Sequence, residues 1–373
     1  MSARTKLFSR RALYDLEGTD ELFVQAVRES LAFHLERCPE YAALLESRNF
    51  SAGSVRKIED LWRIPPLPTL FLKRHSLFSI PEEKLPFQAT SSGTSGVASR
   101  MGLDWKTAAL ALRMVLRTFS YYSLLSPRLT NYVVLGYQPD RSNRVGAVQT
   151  TYATTLLAPA LHREYALKMT ESGYEINLEG LLAALERYEK AGHPVRLLGF
   201  PAYFLFLLEA VEELGRPLRL PKGSKVFLAG GWKQFLTRQV KKEELYRRSE
   251  ELLGIGGESC KEFFGAVEHP ILYCDCKNHH FHVPIYSRVL LRDPDTLEPM
   301  GCGTPGLVNL ISPMMGSMPF VSVMTDDLAV LHEGGECGCG ISAPWFEILG
   351  RVGLDAIKTC AAGAAELLKG GAP

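Results

Sequence analysis

"LEGLLAALERYEKAGHPVRLLGFPAYFLFLLEAVEELG", residues 178–215, holds a helix pattern, a short apolar run and a second helix pattern in quick succession. The first fifteen residues have the apolar spacing of an amphipathic helix, "VRLLGF" (195–200) has the length and character of a strand, and "AYFLFLLEAVEELG" (202–215) is helical again. The alternation goes on through "KVFLAGG" (225–231), a strand, and "LTRQVKKEELYRRSEELLG" (236–254), a helix. Upstream, "WKTAALALRMVLRTFSYYSLL" (105–125) reads as a strongly amphipathic helix and "NYVVLGY" (131–137) as a short strand. Strands alternating with helices of this length predict an α/β fold with a largely parallel sheet.

The two ends differ from this middle. Residues 1–65 read as helical, with "DELFVQAVRESLAFHLERCPEYAALLE" (20–46) at helical spacing, and "RIPPLPT" (63–69) then breaks the pattern with prolines. From about residue 262 the style changes to β-like runs: "KEFFGAVEH", "FHVPIYSRVLLRD", "GLVNLIS" and "FVSVMTDDLAVLH". The last stretch, "AIKTCAAGAAELLKGGAP", reads as a short helix with a Gly-rich end. The chain has 373 residues, 46% hydrophobic and 22% charged, enough for a large core in more than one unit. A net charge of +1 argues against an extended nucleic-acid footprint and gives no reason to expect an anionic membrane as partner. The basic N-terminus lacks the apolar stretch of a secretory signal and no run approaches the ~20 apolar residues of a membrane span, so the expected placement is the cytoplasm.

Several stretches carry chemistry. "TSSGTSGVASR" (Thr90 to Arg100) packs hydroxyls and glycines ahead of the helix at 105. Such a turn offers backbone amides and hydroxyls to phosphate oxygens, although a plain Ser/Gly linker has the same composition. It is not a Walker loop, since Gly93 and Gly96 are only three apart. "FFGAVEHP" (263–270) places Glu268 four residues after Phe264, "VMTDD" (323–327) ends in Thr325, Asp326 and Asp327, and "LGRVG" (349–353) sets Arg351 between glycines. Each has a plainer reading: a surface carboxylate beside His269, a turn cap at Asp327, a surface ion pair at Arg351. "FLAGGWK" (227–233) follows a strand, and Gly230-Gly231 admits either a closely approaching ligand or a tight turn.

Taken in this order, the loop 90–100 and the stretches 263–270, 323–327 and 349–353 resemble the adenylate-forming superfamily of acyl and aryl ligases. The resemblance implies the large domain of such ligases, with parallel sheets flanked by helices, a β-rich C-terminal part, and the small C-terminal domain largely absent. It implies that Ser91, Ser92, Gly93, Thr94, Ser95 and Gly96 hold the phosphates of ATP. Phe264 and Gly265 would pack on adenine, Glu268 would help to bind Mg²⁺, Asp327 would bond the ribose hydroxyls and Arg351 the nucleotide. Within the superfamily, "LAGGWK", "HVPIYSRVLLRDPDTLEP" and "GRVGLDAIKTCA" are similar to acyl-protein synthetases, the fatty-acid-activating component of bacterial luciferase systems, and "CGCG" to phenylacetate–CoA ligases. The expected division is a helical part over 1–65, an adenylation domain over 66–350 and a C-terminal remnant over 351–373.

The chemistry behind that expectation is general. A carboxylate has no good leaving group. Its attack on the α-phosphorus of ATP gives an acyl-adenylate, which does. That step needs charge neutralised around the phosphates more than it needs covalent catalysis. Three departures from the superfamily pattern stand out. Ser99 occupies the place usual for a cation, with Arg100 one later; the glycine of T-G-D is Asp326; and 22 residues follow Arg351, too few for the domain that brings a catalytic lysine. Another cation, Lys233 or Lys358, or a partner protein would then serve.

Of the eight cysteines, seven lie after residue 259. "CDCKNHHFH" (274–282) and "CGC" (337–339) supply the donors of a structural Zn²⁺ site, with Cys276, His282, Cys337 and Cys339 the preferred set and Cys274 and His280 as substitutes; free buried cysteines are the alternative. Cys360 stands alone near Lys358. A thiolate beside a cation is a good acyl acceptor, and the family resemblance implies that Cys360 takes the acyl group before an acyl reductase receives it; a small helical residue is the plainer reading. The expected activity is therefore ATP-dependent activation of a carboxylic, fatty acid and its transfer to a cysteine, with an acyl-CoA ligase or an idle zinc-braced scaffold as alternatives. No nucleic acid and no integral membrane segment are expected.

Overall fold

The computed structural model describes residues 1–90, 99–140 and 146–351, the side chains of 146, 147, 233 and 234 excepted. The chain forms two compact units: Tyr122–Phe264 is one, and Met1–Tyr121 with the chain from Gly265 onward is the other.

In the unit Tyr122–Phe264 the alternation of the sequence becomes a wound sheet. Strands Thr130–Tyr137, Val195–Gly199, Lys225–Ala229 and Cys260–Ala266 pair in parallel, and Ala160–Thr170 joins Thr130–Tyr137 on its other side, also in parallel. Short Gly173–Ile176 closes that edge antiparallel. Every residue of Val195–Gly199 is buried, as a strand covered on both faces must be. Helices Leu178–Ala191, Pro201–Glu213 and Lys242–Leu253 cover one face with Leu181, Leu185, Phe204, Leu208 and Leu245, which join Val133, Leu197 and Val226 in one core. Pro201 sits in the first turn of its helix, where its missing N–H costs nothing.

The second unit is antiparallel. Its sheet runs Phe281–His282, Trp345–Arg351, Ser322–His332, Gly306–Ile311, Arg288–Arg292, Pro299–Met300, with Leu67–Pro68 added in parallel beside Ser322–His332. The ladder between Ser322–His332 and Trp345–Arg351 shifts register once, between Leu328 and Ala329. Helix Trp105–Tyr121 and the N-terminal helices belong to this unit. The helical residues 1–65 are tied to the strands by arginines. Arg288 reaches Asp20 and lies over the Phe23 ring at 4.3 Å. Arg292, buried, donates to Asn309 at 2.7 Å and to the Trp62 carbonyl at 2.6 Å. His34, fully buried, bonds Ser79 at 2.7 Å and the Met315 carbonyl at 3.2 Å.

Some boundaries depart from the sequence reading. The expected single helix over 20–46 is two, Asp20–Arg37 and Pro39–Ser47, because a residue before proline avoids helical geometry and Cys38 sits at φ −129°, ψ 90°. The helix expected over 236–254 begins only at Lys242. Strands Ala160–Thr170 and Gly173–Ile176 were not signalled, since their mixed exposure gives no clean alternation.

Gly199 faces Leu135 across the parallel ladder at φ +140°, and a Cβ there would stand 2.3 Å from the Leu135 carbonyl oxygen. Gly199→Ala should therefore cost on the order of 3 kcal/mol. A fall in the urea midpoint checks this, and an unchanged midpoint contradicts it.

Candidate functional site

Glu268 is not a surface carboxylate. It is 4% exposed and accepts a hydrogen bond from the buried Ser99 hydroxyl, a residue 169 positions earlier. Ser99 thus fills the place of the usual cation by engaging the neighbouring acid, while Arg100 pairs with Glu82. Behind Glu268, His269 is buried with Tyr273 and Ser287: its Nε2 lies 3.1 Å from the Tyr273 hydroxyl, which is 2.6 Å from Ser287 Oγ. Among the described residues the Nδ1 of His269 has no partner. This network was not foreseen; the only sequence signal is that His269 adjoins Glu268.

Asp327 and Arg351 are directly opposite in the antiparallel ladder, and Arg351 Nε donates to Asp327 Oδ1 at 3.1 Å. The Asp327 amide donates to Thr325 Oγ1 at 3.2 Å. Asp326, in the place of the missing glycine, brings a second carboxylate to 3.8 Å from Arg351. Burial raises the pKa of Asp327, the Arg351 guanidinium pulls it down, and Asp326 adds to the rise, leaving it above the usual carboxylate range. Burial lowers that of Arg351, but Asp327, Asp326 and Glu268 more than offset it. Glu268, Asp327 and Arg351 therefore share one electrostatic neighbourhood inside one unit.

Phe264 and Gly265 lie in strand Cys260–Ala266, where the chain passes from one unit to the other. A Cβ at Gly265 would meet the Ile271 carbonyl at 3.1 Å, so the glycine there serves a close backbone approach. In the unit Tyr122–Phe264, Gly230 and Gly231 take φ of 83° and 67°, which makes a tight left-handed turn after strand Lys225–Ala229. Ser91, Ser92, Gly93, Thr94, Ser95, Gly96, Lys358 and Cys360 lie outside the described residues, as does the side chain of Lys233.

The cysteines and histidine of the preferred set come together. Donor atoms of Cys276, His282, Cys337 and Cys339 all lie within 4.8 Å of one another. Cys276 and Cys337 sulfurs are 3.6 Å apart, and Cys339 Sγ is 3.2 Å from His282 Nε2. His282 Nδ1 is 2.8 Å from the Ala343 carbonyl, which can only accept. Nδ1 therefore carries the proton and Nε2 turns its lone pair to the sulfurs. The amides of Asn278 and Ile341 donate to Cys276 and Cys339 at 3.3 and 3.4 Å. Gly338 and Gly340, at φ 67° and 96°, give "CGCG" the two left-handed turns that aim both thiols inward. Two thiols this close cannot both ionise freely. Burial raises the pKa of Cys276 but hydrogen bonds led by His282 lower it further, whereas burial and the neighbouring sulfurs push Cys337 up to about 12. His280 Nδ1 also stands 3.2 Å from Cys337 Sγ, while the Cys274 thiol points to the Asp275 carbonyl, away from the group. Trp345 is stacked by His280 at 3.8 Å and His332 at 3.9 Å beside the cluster.

The fold is that of the adenylate-forming ligases: an open conformation of 2-hydroxyisobutyryl-CoA ligase superposes with a TM-score of 0.66 at 16% identity, over 92% of this chain and 77% of that one. The family described as acyl-protein synthetase, LuxE, matches residues 6–369, and the chain belongs to that family. It is a ligase of the acyl-protein synthetase type. It is 27% identical to the long-chain-fatty-acid–luciferin-component ligase of Vibrio harveyi, over 93% of this chain and 88% of that protein. It is 24% identical to the phenylacetate–coenzyme A ligase of Thermus thermophilus, over 84% of this chain and 66% of that protein. Among the described residues no helix is long and apolar enough to cross a membrane.

The buried histidines make stability depend on pH. Unfolded, each titrates near ~6.5. Folded, burial holds His34 at about 4 and His269 at about 3. Between those values the unfolded chain binds protons that the folded chain refuses, so this stability is full above ~6.5 and is lost as the pH falls. Going from pH 7 to 5 should cost roughly 2 kcal/mol per histidine. Urea titrations at both pH values check this, and a His34→Gln/His269→Gln variant with an undiminished difference would contradict it.

Proposed function

We propose that the protein activates a fatty acid with ATP to an acyl-adenylate and pyrophosphate, then passes the acyl group to the Cys360 thiol for delivery to an acyl-reductase partner. The observation that carries this reading is the neighbourhood of two buried carboxylates, Glu268 and Asp327, with Arg351. In the first step a carboxylate oxygen of the acid bonds to the α-phosphorus and pyrophosphate leaves. The loop Ser91–Gly96 would bind the phosphates with Lys233 as an added cation, Gly230-Gly231 would line the nucleotide's approach, and Phe264 with Gly265 would cover the base. Asp327 would accept from the ribose hydroxyls, for which its buried, solvent-poor carboxylate is suited. Glu268, oriented by Ser99, would hold Mg²⁺, whose charge eases the approach of one anion to another. In the second step the Cys360 thiolate bonds to the acyl carbonyl carbon and AMP leaves. The name of the Vibrio harveyi relative supports a long-chain acid; that of the Thermus relative supports coenzyme A as the competing acceptor.

With ATP and a radiolabelled fatty acid, the protein should exchange pyrophosphate and acquire label that neutral hydroxylamine releases. Glu268→Gln should lower exchange by about a hundredfold. Cys360→Ser should abolish stable labelling and leave exchange intact. No labelled protein, with product only when coenzyme A is added, would establish the competing acceptor; no exchange with any acid would overturn both.

We further propose that Cys276, His282, Cys337 and Cys339 bind a structural Zn²⁺. Three sulfurs and an imidazole nitrogen within 4.8 Å of one another, that imidazole already in the ligating tautomer, and amides bonded to two sulfurs all suit that ion. The ion would tie the segment 274–282 to the turn that carries Cys337 and Cys339. Purified protein should carry about one zinc per chain, and Cys337→Ser/Cys339→Ser should lose it together with several degrees of melting temperature. A metal-free protein of unchanged melting temperature would refute the site.

A further inference from the structure

Helix Trp105–Tyr121 buries one face through Leu110, Met114, Thr118 and Phe119. Its other face is open and apolar: Trp105, Leu112 and Leu116 are 71%, 58% and 40% exposed. Positions 105, 109, 112 and 116 form one stripe at helical spacing, along which runs a shallow groove of about 410 Å³ lined by Ala109, Leu112, Arg113, Leu116, Arg117 and Ser120. Phe87, 41% exposed, packs its ring edge-on against Trp105 at 4.8 Å and extends the apolar face at one end.

The charge that the helix itself carries has one sign. Residues 105–121 include Lys106, Arg113 and Arg117 and no acid. Arg113 donates to the Ser9 hydroxyl at 2.8 Å, and Arg117 to the carbonyls of Phe8 and Ser9, both at 2.8 Å. These acceptors are neutral and leave the charge uncancelled. The same bonds hold the segment Ser9–Arg11 alongside the helix, which adds the exposed cations Arg10 and Arg11. A net charge of +1 for the whole chain conceals this local concentration.

We propose that the open face of helix Trp105–Tyr121 is a peripheral docking site for an anionic lipid surface. A second copy of the chain would set these cations against themselves. A layer of anionic headgroups neutralises them, takes Leu112 and Leu116 at the acyl boundary, and gives the Trp105 indole at one end the interfacial depth that such rings prefer. The footprint is one helix, so binding is reversible and weakens as salt screens the headgroups. The inference uses none of the nucleotide, thiol or metal residues and stands apart from the proposed reaction.

Co-sedimentation of the full chain with phosphatidylcholine–phosphatidylglycerol vesicles, against phosphatidylcholine alone, tests it. Binding should be at least about tenfold tighter to the anionic vesicles and should fall in high salt. Leu112→Ser/Leu116→Ser should lower it by about tenfold, and Lys106→Gln/Arg113→Gln by a similar factor, with melting temperature and pyrophosphate exchange unchanged. Absence of binding, or equal binding to both vesicles, overturns the proposal. So does a wild-type dimer in sedimentation velocity that Leu112→Ser/Leu116→Ser dissolves, which would assign the face to a second copy.

Discussion

The antiparallel hydrogen-bond ladder between Ser322–His332 and Trp345–Arg351 fixes two clusters at once. At one end it sets Asp327 opposite Arg351. At the other it sets His332 opposite Trp345, against which the Cys/His group packs. Neither cluster can form from a single strand, because each needs side chains that point to the same side of adjacent strands. Thr325, Asp326 and Asp327 come from one strand and Arg351 from its neighbour; Cys337 and Cys339 come from the turn that joins the two. A short connection between paired strands is thus what brings the Cys/His group and the Asp327–Arg351 pair into one unit.

Electrostatics at the Asp327 end run against stability. Burial leaves a carboxylate that would ionise more readily in water, and a second acid, Asp326, stands beside it. Arg351 offsets part of that cost while more than half of its own side chain stays exposed. Such an arrangement makes poor structural cement and suits a place where a neutral polar ligand displaces water and donates hydrogen bonds to the carboxylate. The Ser99–Glu268 contact follows the same logic, since a buried acid is held by one hydroxyl where a cation would have bound it more tightly.

Much of this was legible in the sequence. The βα alternation over 130–254 is local physics: buried parallel strands need continuous apolar runs, and the helices between them need a one-sided stripe. The grouping of Cys276, His282, Cys337 and Cys339 was legible because C-x-C pairs away from disulfides point to side chains that gather in one place. What could not be read depends on long sequence separation. Nothing local to Ser99 points to Glu268, nothing in Arg292 points to the Trp62 carbonyl, and nothing at Gly265 announces that the chain returns to the unit it left at Tyr121. The division of the N-terminal helix over 20–46 was missed for a smaller reason, a single proline at 39 whose effect on Cys38 outweighs the apolar spacing on either side.

The register shift at Leu328/Ala329 has a meaning for chain length. Partner numbers sum to one value at Asp327–Arg351 and to a value one lower from Ala329–Ile348 through His332–Trp345, so Leu349 is a supernumerary residue between them. Side chains alternate along a strand with period two, and an odd count therefore exchanges inside for outside. The extra residue acts as a parity bit: it lets Trp345 face the cysteines while Arg351 faces Asp327. Any homologous strand of this length that drops or adds one residue here must either lose one of the two pairings or regain the same parity elsewhere between the turn and the arginine.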